Sequence, residues 1–380
     1  MDIEKFLSYK IHSELCDDRS IILDFPPPCA GQPHVSRSGR NMHWNTIPRL
    51  YNHYNIEDDL VEFNSIDGIA NLRNTRGFIN HSFEPIDYAG HQFFWNQDNW
   101  TNERMLCWPE NGDRLFLLHS EQNSSDVAAI VANSTLIDVE PIHWFACGYE
   151  CAEYWFKNFG IPAFDNWQRP IHHKYICMAR QFNAKKQYRL HFLNMLDIKQ
   201  GVYSLLDHCP ESGLTPNDVV SSNTVQPNSF DNHDNDSAYI EMRYQTPINT
   251  SFLHVVMESV FHEQKQHLTE KIFKPIVLQQ PFVLVGAAYN LDYLRSYGFK
   301  TFGDWWDESY DYIQDPQQRL QACADIVNSV AHMDITELYR MRVQMKSVLE
   351  HNRKLFYTTF ADRCWNDLSA KIASVLEQPS

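Results

Sequence analysis

The chain has 380 residues, 43% of them hydrophobic and 13% aromatic, and its 48 acids against 32 lysines and arginines give a formal net charge of −16. That length accommodates two domains with separate cores, and the apolar content excludes a disordered chain. The charge argues against a protein that coats nucleic acid, and the longest apolar runs are too short to span a bilayer. The nine cysteines are scattered and form no paired metal motif, so reduced thiols and a cytoplasmic location are expected. The start, Met1-Asp-Ile-Glu-Lys5, lacks the basic-then-apolar pattern of a secretory signal.

Residues 1–165 read as a first domain. The run Pro26, Pro27, Pro28 excludes helix and central strand, because each ring removes a backbone donor and fixes φ. Residues 114–121 form a buried strand that ends in polar residues; residues 142–148 predict another strand, with a helix over 150–158. Residues 159–170 read as a connection, and a second domain covers 166–350. It opens with a strand at 174–179. Leu190, Leu193, Met195 and Leu196 then fall at helical spacing, and a strand follows at 202–206. The polar stretch 209–249 reads as an inserted loop region. A strand over 250–257 ends at Glu258. After it, Thr269-Glu270-Lys271 opens an amphipathic helix that runs into the apolar strand before Gly286. Helices are predicted at 290–297, stopped by Gly298, and at 317–330 and 335–349. Residues 351–380 carry a C-terminal helix, amphipathic through Phe356, Phe360, Trp365, Leu368 and Ile372, expected to cross back to the first domain. Strands alternating with helices imply parallel sheets covered on both faces.

Ligands of open parallel sheets sit outside the carboxyl ends of the strands. Those ends carry Glu121, Arg180, Glu258 and the Thr269-Glu270-Lys271 turn. A helix N-terminus with a neighbouring lysine suits a phosphate, and a glutamate there can accept hydrogen bonds from ribose hydroxyls. The local pattern fits equally a capping threonine followed by solvated charges. Residues 169–191 hold Arg169, Lys174, Arg180, Lys185, Lys186 and Arg189 with no acid, either a solvated face or a cradle for a small polyanion. Arg180 and Arg189 offer planar forks that can clamp a diphosphate, and no acidic pair at a strand end calls for a metal ion. On the acceptor side, Glu121 is the candidate general base, with Glu84 and Glu140 as rivals; a carboxylate capping the next helix is the structural alternative. His91 is a candidate acceptor-binding residue or a structural histidine.

The second half resembles a family of phage and bacterial glycosyltransferases distantly similar to the α1,3-fucosyltransferases. Their signature is a strand ending near Glu-Asn-Ser, then Tyr-x-Thr-Glu-Lys before an apolar helix. Here stand Glu258-Ser259 and His267-Leu-Thr269-Glu270-Lys271. Phe273-Lys-Pro-Ile276, Pro281-Phe-Val-Leu-Val-Gly286, residues 294–302 and Asp307-Glu-Ser-Tyr-Asp311 continue the resemblance, which covers residues 170–355. His267 replaces the tyrosine, the asparagine after the glutamate is missing, and Ala179 and Tyr188 depart from the family's upstream arginine element. Upstream again, residues 118–124 resemble a Ser-Glu-x-Asn-Ser element of the phage-type relatives.

The resemblance implies two Rossmann-like α/β domains of the GT-B type facing a central cleft. It implies transfer of a sugar from a nucleotide diphosphate sugar to an acceptor hydroxyl, with no further cofactor and no essential metal. Ribose would then fall to Glu270 and the diphosphate to Lys271 with Arg180 or Arg189. A saccharide acceptor suits the acidic chain better than DNA. The alternatives are a phage enzyme acting on a hydroxymethylated base, and a non-catalytic assembly protein that kept the fold.

Overall fold

The computed structural model describes residues 21–24, 77–81, 85–86, 114–133, 138–156, 169–179, 186–205 and 246–376. The chain divides into two compact units, one formed by Met1–Ala146 with Cys364–Ser380 and the other by Cys147–Arg363. Among the described residues each contains a sheet of four parallel strands, so the architecture is α/β. No helix among the described residues is long and apolar enough to cross a membrane.

In the first unit β1 (Ile21–Asp24), β2 (Gly77–His81), β3 (Arg114–His119) and β4 (Asp138–His143) lie side by side in chain order. Helix α1 (Ser125–Asn133) connects β3 to β4 and turns Val127 and Ile130 inward, while Leu117, Leu118, Val139 and Ile142 supply the buried strand residues. The strand expected at 142–148 is corrected to Asp138–His143, and a helix, α2 (Ala146–Glu150), begins where a strand was expected to continue. Pro141 masked the strand. Among the described strands β4 lies at the edge, where one missing N–H leaves no ladder broken on both sides. Trp144 and Phe145 follow it, both fully buried.

In the second unit β5 (His173–Ala179) lies between β6 (Gly201–Leu205) and β7 (Ser251–Met257), and β8 (Phe282–Val285) pairs with the outer side of β7. The chain therefore leaves β5 toward β6, then returns to β5's other side and leaves β7 toward β8. That reversal makes the carboxyl ends of β5 and β7 the topological switch point of the sheet. Gly201 is needed because the Tyr175 ring lies across β6, where any Cβ would collide with it.

Helix α3 (Tyr188–Met195) joins β5 to β6, and the five-residue α4 (Thr246–Thr250) leads into β7. The motif segment begins as a 3₁₀ turn, Glu270–Ile272, and becomes α5 (Phe273–Leu278). Its expected amphipathic character is corrected: all six residues of α5 are buried, Lys274 included. The helix is enclosed on both sides, because α9 (Lys346–Leu355) lies over it. After β8, α6 (Asn290–Ser296) ends at Gly298, whose φ of 93° suits only glycine. Helix α7 (Pro316–His332), capped by Asp315, covers β5, β7 and β8. The single helix expected at 335–349 is two, α8 (Ile335–Gln344) and α9, broken at Met345. A π-helical turn, Phe356–Phe360, separates α9 from α10 (Ala361–Leu376).

Phe273, Phe356 and Phe360 form an aromatic knot that fastens the motif helix to the α9 end. Their ring centroids lie 5.3 to 5.9 Å apart, and Phe299 reaches to 4.8 Å from Phe360. Phe273 is fully buried. Phe273→Ala is expected to cost about 3–5 kcal/mol in urea unfolding. A loss below about 1 kcal/mol would mean the knot is not what anchors this helix.

Candidate functional site

The second unit's site grows from a carboxylate that follows directly on β7. Glu258 is completely buried, and its backbone N–H donates to Val285 O (2.9 Å), which joins the ends of β7 and β8. Its Oε1 accepts from Thr269 N (3.2 Å) and its Oε2 from Thr269 Oγ1 (2.6 Å). The threonine hydroxyl donates to Glu258 and accepts from Lys271 Nζ at 2.9 Å, using both its donor and an acceptor capacity. Thr269 makes no cap bond to the following turn, so its hydroxyl serves the strand end rather than the helix. Burial pushes the Glu258 carboxyl above its usual range, against the opposing pull of Lys271 and the Thr269 bonds.

Glu270 and Lys271 stand outside this clasp, with side chains 23% and 26% exposed and Lys271 Nζ 3.3 Å from Glu270 Oε1. Lys271 also reaches Ser259 Oγ at 3.4 Å. Burial acts to raise the Glu270 pKa, but the Lys271 and Lys274 charges and its own backbone N–H outweigh burial and bring it down to about 2. The carboxylate is therefore ionised across the physiological range and acts purely as an acceptor. The structure brings together Glu258, Thr269, Glu270 and Lys271 beside the switch point.

Arg189 joins them from α3 but faces inward. It is 2% exposed, and its Nη2 approaches Glu258 O (3.2 Å) and Met257 O (3.4 Å). Tyr188, which departs from the resembled family, donates its hydroxyl to Glu258 O as well. Its ring stacks on Phe261 with centroids 4.3 Å apart. Arg180 and His91 lie outside the described residues, as does Glu84.

One organising residue carried no signal in the sequence. Arg319, on α7, is 2% exposed and donates to four carbonyl oxygens: Gly286 (2.9 Å), Ile313 (2.6 Å), Gln314 (3.2 Å) and Phe261 (2.5 Å). It ties the loop after β7 to the loop after β8. The Asp307–Asp311 stretch proves structural too. Glu308 accepts from Arg295, Thr301 and Phe302, and Asp311 accepts from Leu291 N (3.0 Å) and Asp292 N (3.3 Å) at the start of α6. Burial raises the Asp311 carboxyl to about 6.

In the first unit Glu121 is 1% exposed, with Oε1 accepting from Ile86 N (2.7 Å) and Oε2 from Ser124 Oγ (2.5 Å). Ser124 Oγ in turn accepts from Val127 N, so the serine caps α1 and Glu121 holds the serine. Glu140 lies mid-strand in β4. Three neighbouring strands end in histidine at matched register, His81 beside His119 and His119 beside His143. The His119 and His143 rings lie 5.7 Å apart, and Lys371 of α10 donates to His143 O (2.6 Å) while bonding Asp367 (2.8 Å). The shared histidine ending of the three strands is visible only once their pairing is known. Among the described residues no group of three or more histidines, cysteines or acids is arranged to hold a metal ion. Cys147, Cys151, Cys177, Cys323 and Cys364 are buried.

No family model matches the chain, and no curated protein matches it. Among solved structures, one similar chain is a DNA-modifying enzyme, beta-glucosyltransferase, studied with and without uridine diphosphoglucose. It is 10% identical, with 94% of this chain and 99% of that chain covered at a TM-score of 0.46. A mutant of the T4 phage enzyme BGT in complex with UDP-glucose is 8% identical, with 82% and 77% covered at a TM-score of 0.42. At these values neither likeness carries an argument about function.

The clasp has a direct test. Thr269→Val keeps the shape but removes the hydroxyl, leaving Glu258 with one described partner fewer and Lys271 without its 2.9 Å acceptor. The variant is expected to lose about 1–3 kcal/mol in urea unfolding, with Thr269→Ser losing less. Equal stability of the Thr269→Val variant and the native protein would contradict the role given to the hydroxyl.

Proposed function

We propose that the chain is a nucleotide-sugar glycosyltransferase, with the donor at the carboxyl edge of the second unit's sheet. Ribose hydroxyls donate to Glu270, and Lys271 neutralises the diphosphate without an essential metal, together with Arg180 as the resemblance implies. The observation that carries this reading is the ionised, partly exposed Glu270–Lys271 pair beside the switch point, mounted on the buried Glu258–Thr269 clasp. Two adjacent groups of opposite charge match a ribosyl diphosphate, which offers hydroxyl donors next to anionic oxygens. Arg189 acts as a positioning residue by holding the β7 end. The resemblance to the fucosyltransferase-like family assigns the same roles to the same two residues.

In the transfer, the acceptor oxygen attacks the anomeric carbon and the bond from that carbon to the diphosphate oxygen breaks. The electron pair leaves with the nucleotide diphosphate, and the acceptor proton passes to a base, for which Glu121 is the candidate. The chain's net charge of −16 favours a saccharide acceptor over duplex DNA.

A thermal-shift screen against UDP, GDP, CMP, TDP and ADP sugars is expected to find one nucleotide class that stabilises the protein, and Lys271→Ala to weaken that ligand about tenfold or more. Stabilisation by none of them would overturn the reading in favour of a non-catalytic assembly protein. With the donor known, activity on a saccharide should hardly change with salt. A DNA acceptor would instead make it fall steeply between about 50 and 200 mM.

A further inference from the structure

The second unit displays a pair of partly exposed aromatic rings. Six of its tyrosines are almost fully buried: Tyr149, Tyr175, Tyr188, Tyr203, Tyr293 and Tyr310. Tyr289 and Tyr312 are instead 39% and 50% exposed, with ring centroids 5.6 Å apart in an edge-to-face arrangement. Tyr289 also holds a left-handed backbone, φ 67° and ψ 14°, which a bulky side chain rarely adopts. Such a conformation costs on the order of 1 kcal/mol and persists only where the surroundings impose it.

The surroundings do impose it. Tyr289 N donates to Asp311 O (2.7 Å), Tyr289 O accepts from Tyr293 N (3.0 Å), and the Asp311 carboxylate grips the backbone N–H groups of Leu291 and Asp292. Tyr312 is fixed as well, its hydroxyl donating to Asp292 Oδ1 at 3.0 Å. Asp292 is in turn held by Arg295 at 2.7 Å.

The pair stands on the same edge of the sheet as the donor residues. Tyr289 follows β8 closely, in a loop knitted to the one that leads from Glu258 to Thr269. Ala287 N donates to Val260 O (3.1 Å), and Gln266 Nε2 donates to Ala288 O (2.9 Å). Two exposed rings thus belong to this edge, and the loop that carries Tyr289 is hydrogen-bonded to the one that leads to Thr269.

We infer that Tyr289, supported by Tyr312, is the stacking platform for the nucleobase of the donor. The inference rests on the nucleotide reading above and adds the base to the ribose and diphosphate contacts. A flat aromatic face binds any base through its π-surface, and the Asp292 carboxylate beside it can accept from a base-edge N–H.

The strained backbone supplies a clean test. Glycine is at ease at positive φ, so Tyr289→Gly removes the ring without adding backbone strain. Titration calorimetry would compare UDP, GDP and inorganic pyrophosphate on the native protein, Tyr289→Gly and Tyr289→Phe. The expected result is a loss of about tenfold or more in nucleoside diphosphate affinity for Tyr289→Gly, near-native affinity for Tyr289→Phe, and unchanged pyrophosphate binding in both. Unchanged nucleotide affinity in Tyr289→Gly, or an equal loss for pyrophosphate, would overturn the platform while leaving the nucleotide reading in place. Failure of the native protein to bind either nucleotide would sink that reading and the platform with it. Tyr312→Ala, which touches no strained backbone, is expected to show a smaller loss in the same direction.

Discussion

Everything proposed for the second unit depends on one buried carboxylate. Glu258 leaves β7 where the sheet's connections reverse direction, and a charge there without partners would be costly. Two bonds from Thr269 satisfy it, one from the backbone and one from the hydroxyl. Because Thr269 is held, Glu270 and Lys271, its immediate successors, are held as well. Tyr188 and Arg189 brace the carbonyl of the same glutamate from α3. Arg319 fixes the loop that follows it from α7. Helix and strand elements thus converge on a few ångströms of chain, and the two partly exposed charges stand on that rigid base. A preorganised acid–base pair is what recognition of a ribosyl diphosphate needs.

Much of this frame was legible in the sequence because periodicity and strand ends are local properties. Residues 174–179 and 250–257 announced β5 and β7 through largely apolar runs, interrupted in β7 by His254, as expected for strands covered on both faces. Glu258, Thr269, Glu270 and Lys271 could be named because each follows a strand or opens a turn. What local pattern missed depends on neighbours distant in the chain. Pro141 concealed β4 because only the sheet order places it last among the described strands. The segment after Thr269 suggested an amphipathic helix, yet α9, far along the chain, covers it. Arg189 looked like a free fork, whereas in the fold its Nη2 meets strand-end carbonyls. Arg319 sits in an ordinary helical pattern, and nothing nearby in sequence signals four carbonyl partners.

The two units also differ in what they offer to chemistry. The second presents charges of both signs and exposed aromatic rings beside a switch point, which suits a nucleotide with its base, ribose and phosphates. The first has a simple sheet whose strands succeed one another in order, and so no switch point within β1 to β4. Its polar groups gather instead at the carboxyl ends of β3 and β4: Glu121 bound to Ser124, the paired rings of His119 and His143, and Lys371 from the last helix. Carboxylates and imidazoles are the side chains that most often take up a proton in general base catalysis.

The central claim is that Glu270 accepts the donor's ribose hydroxyls, and a chemical cycle measures it directly. Calorimetry would compare the bound nucleoside diphosphate with its 2′-deoxy analogue on the native protein and on Glu270→Ala. The account predicts that removing the 2′-hydroxyl weakens binding about tenfold on the native protein and less than about twofold on the variant, since the lost hydroxyl and the lost carboxylate are partners. Equal losses on both proteins, or no loss on the native one, would contradict it.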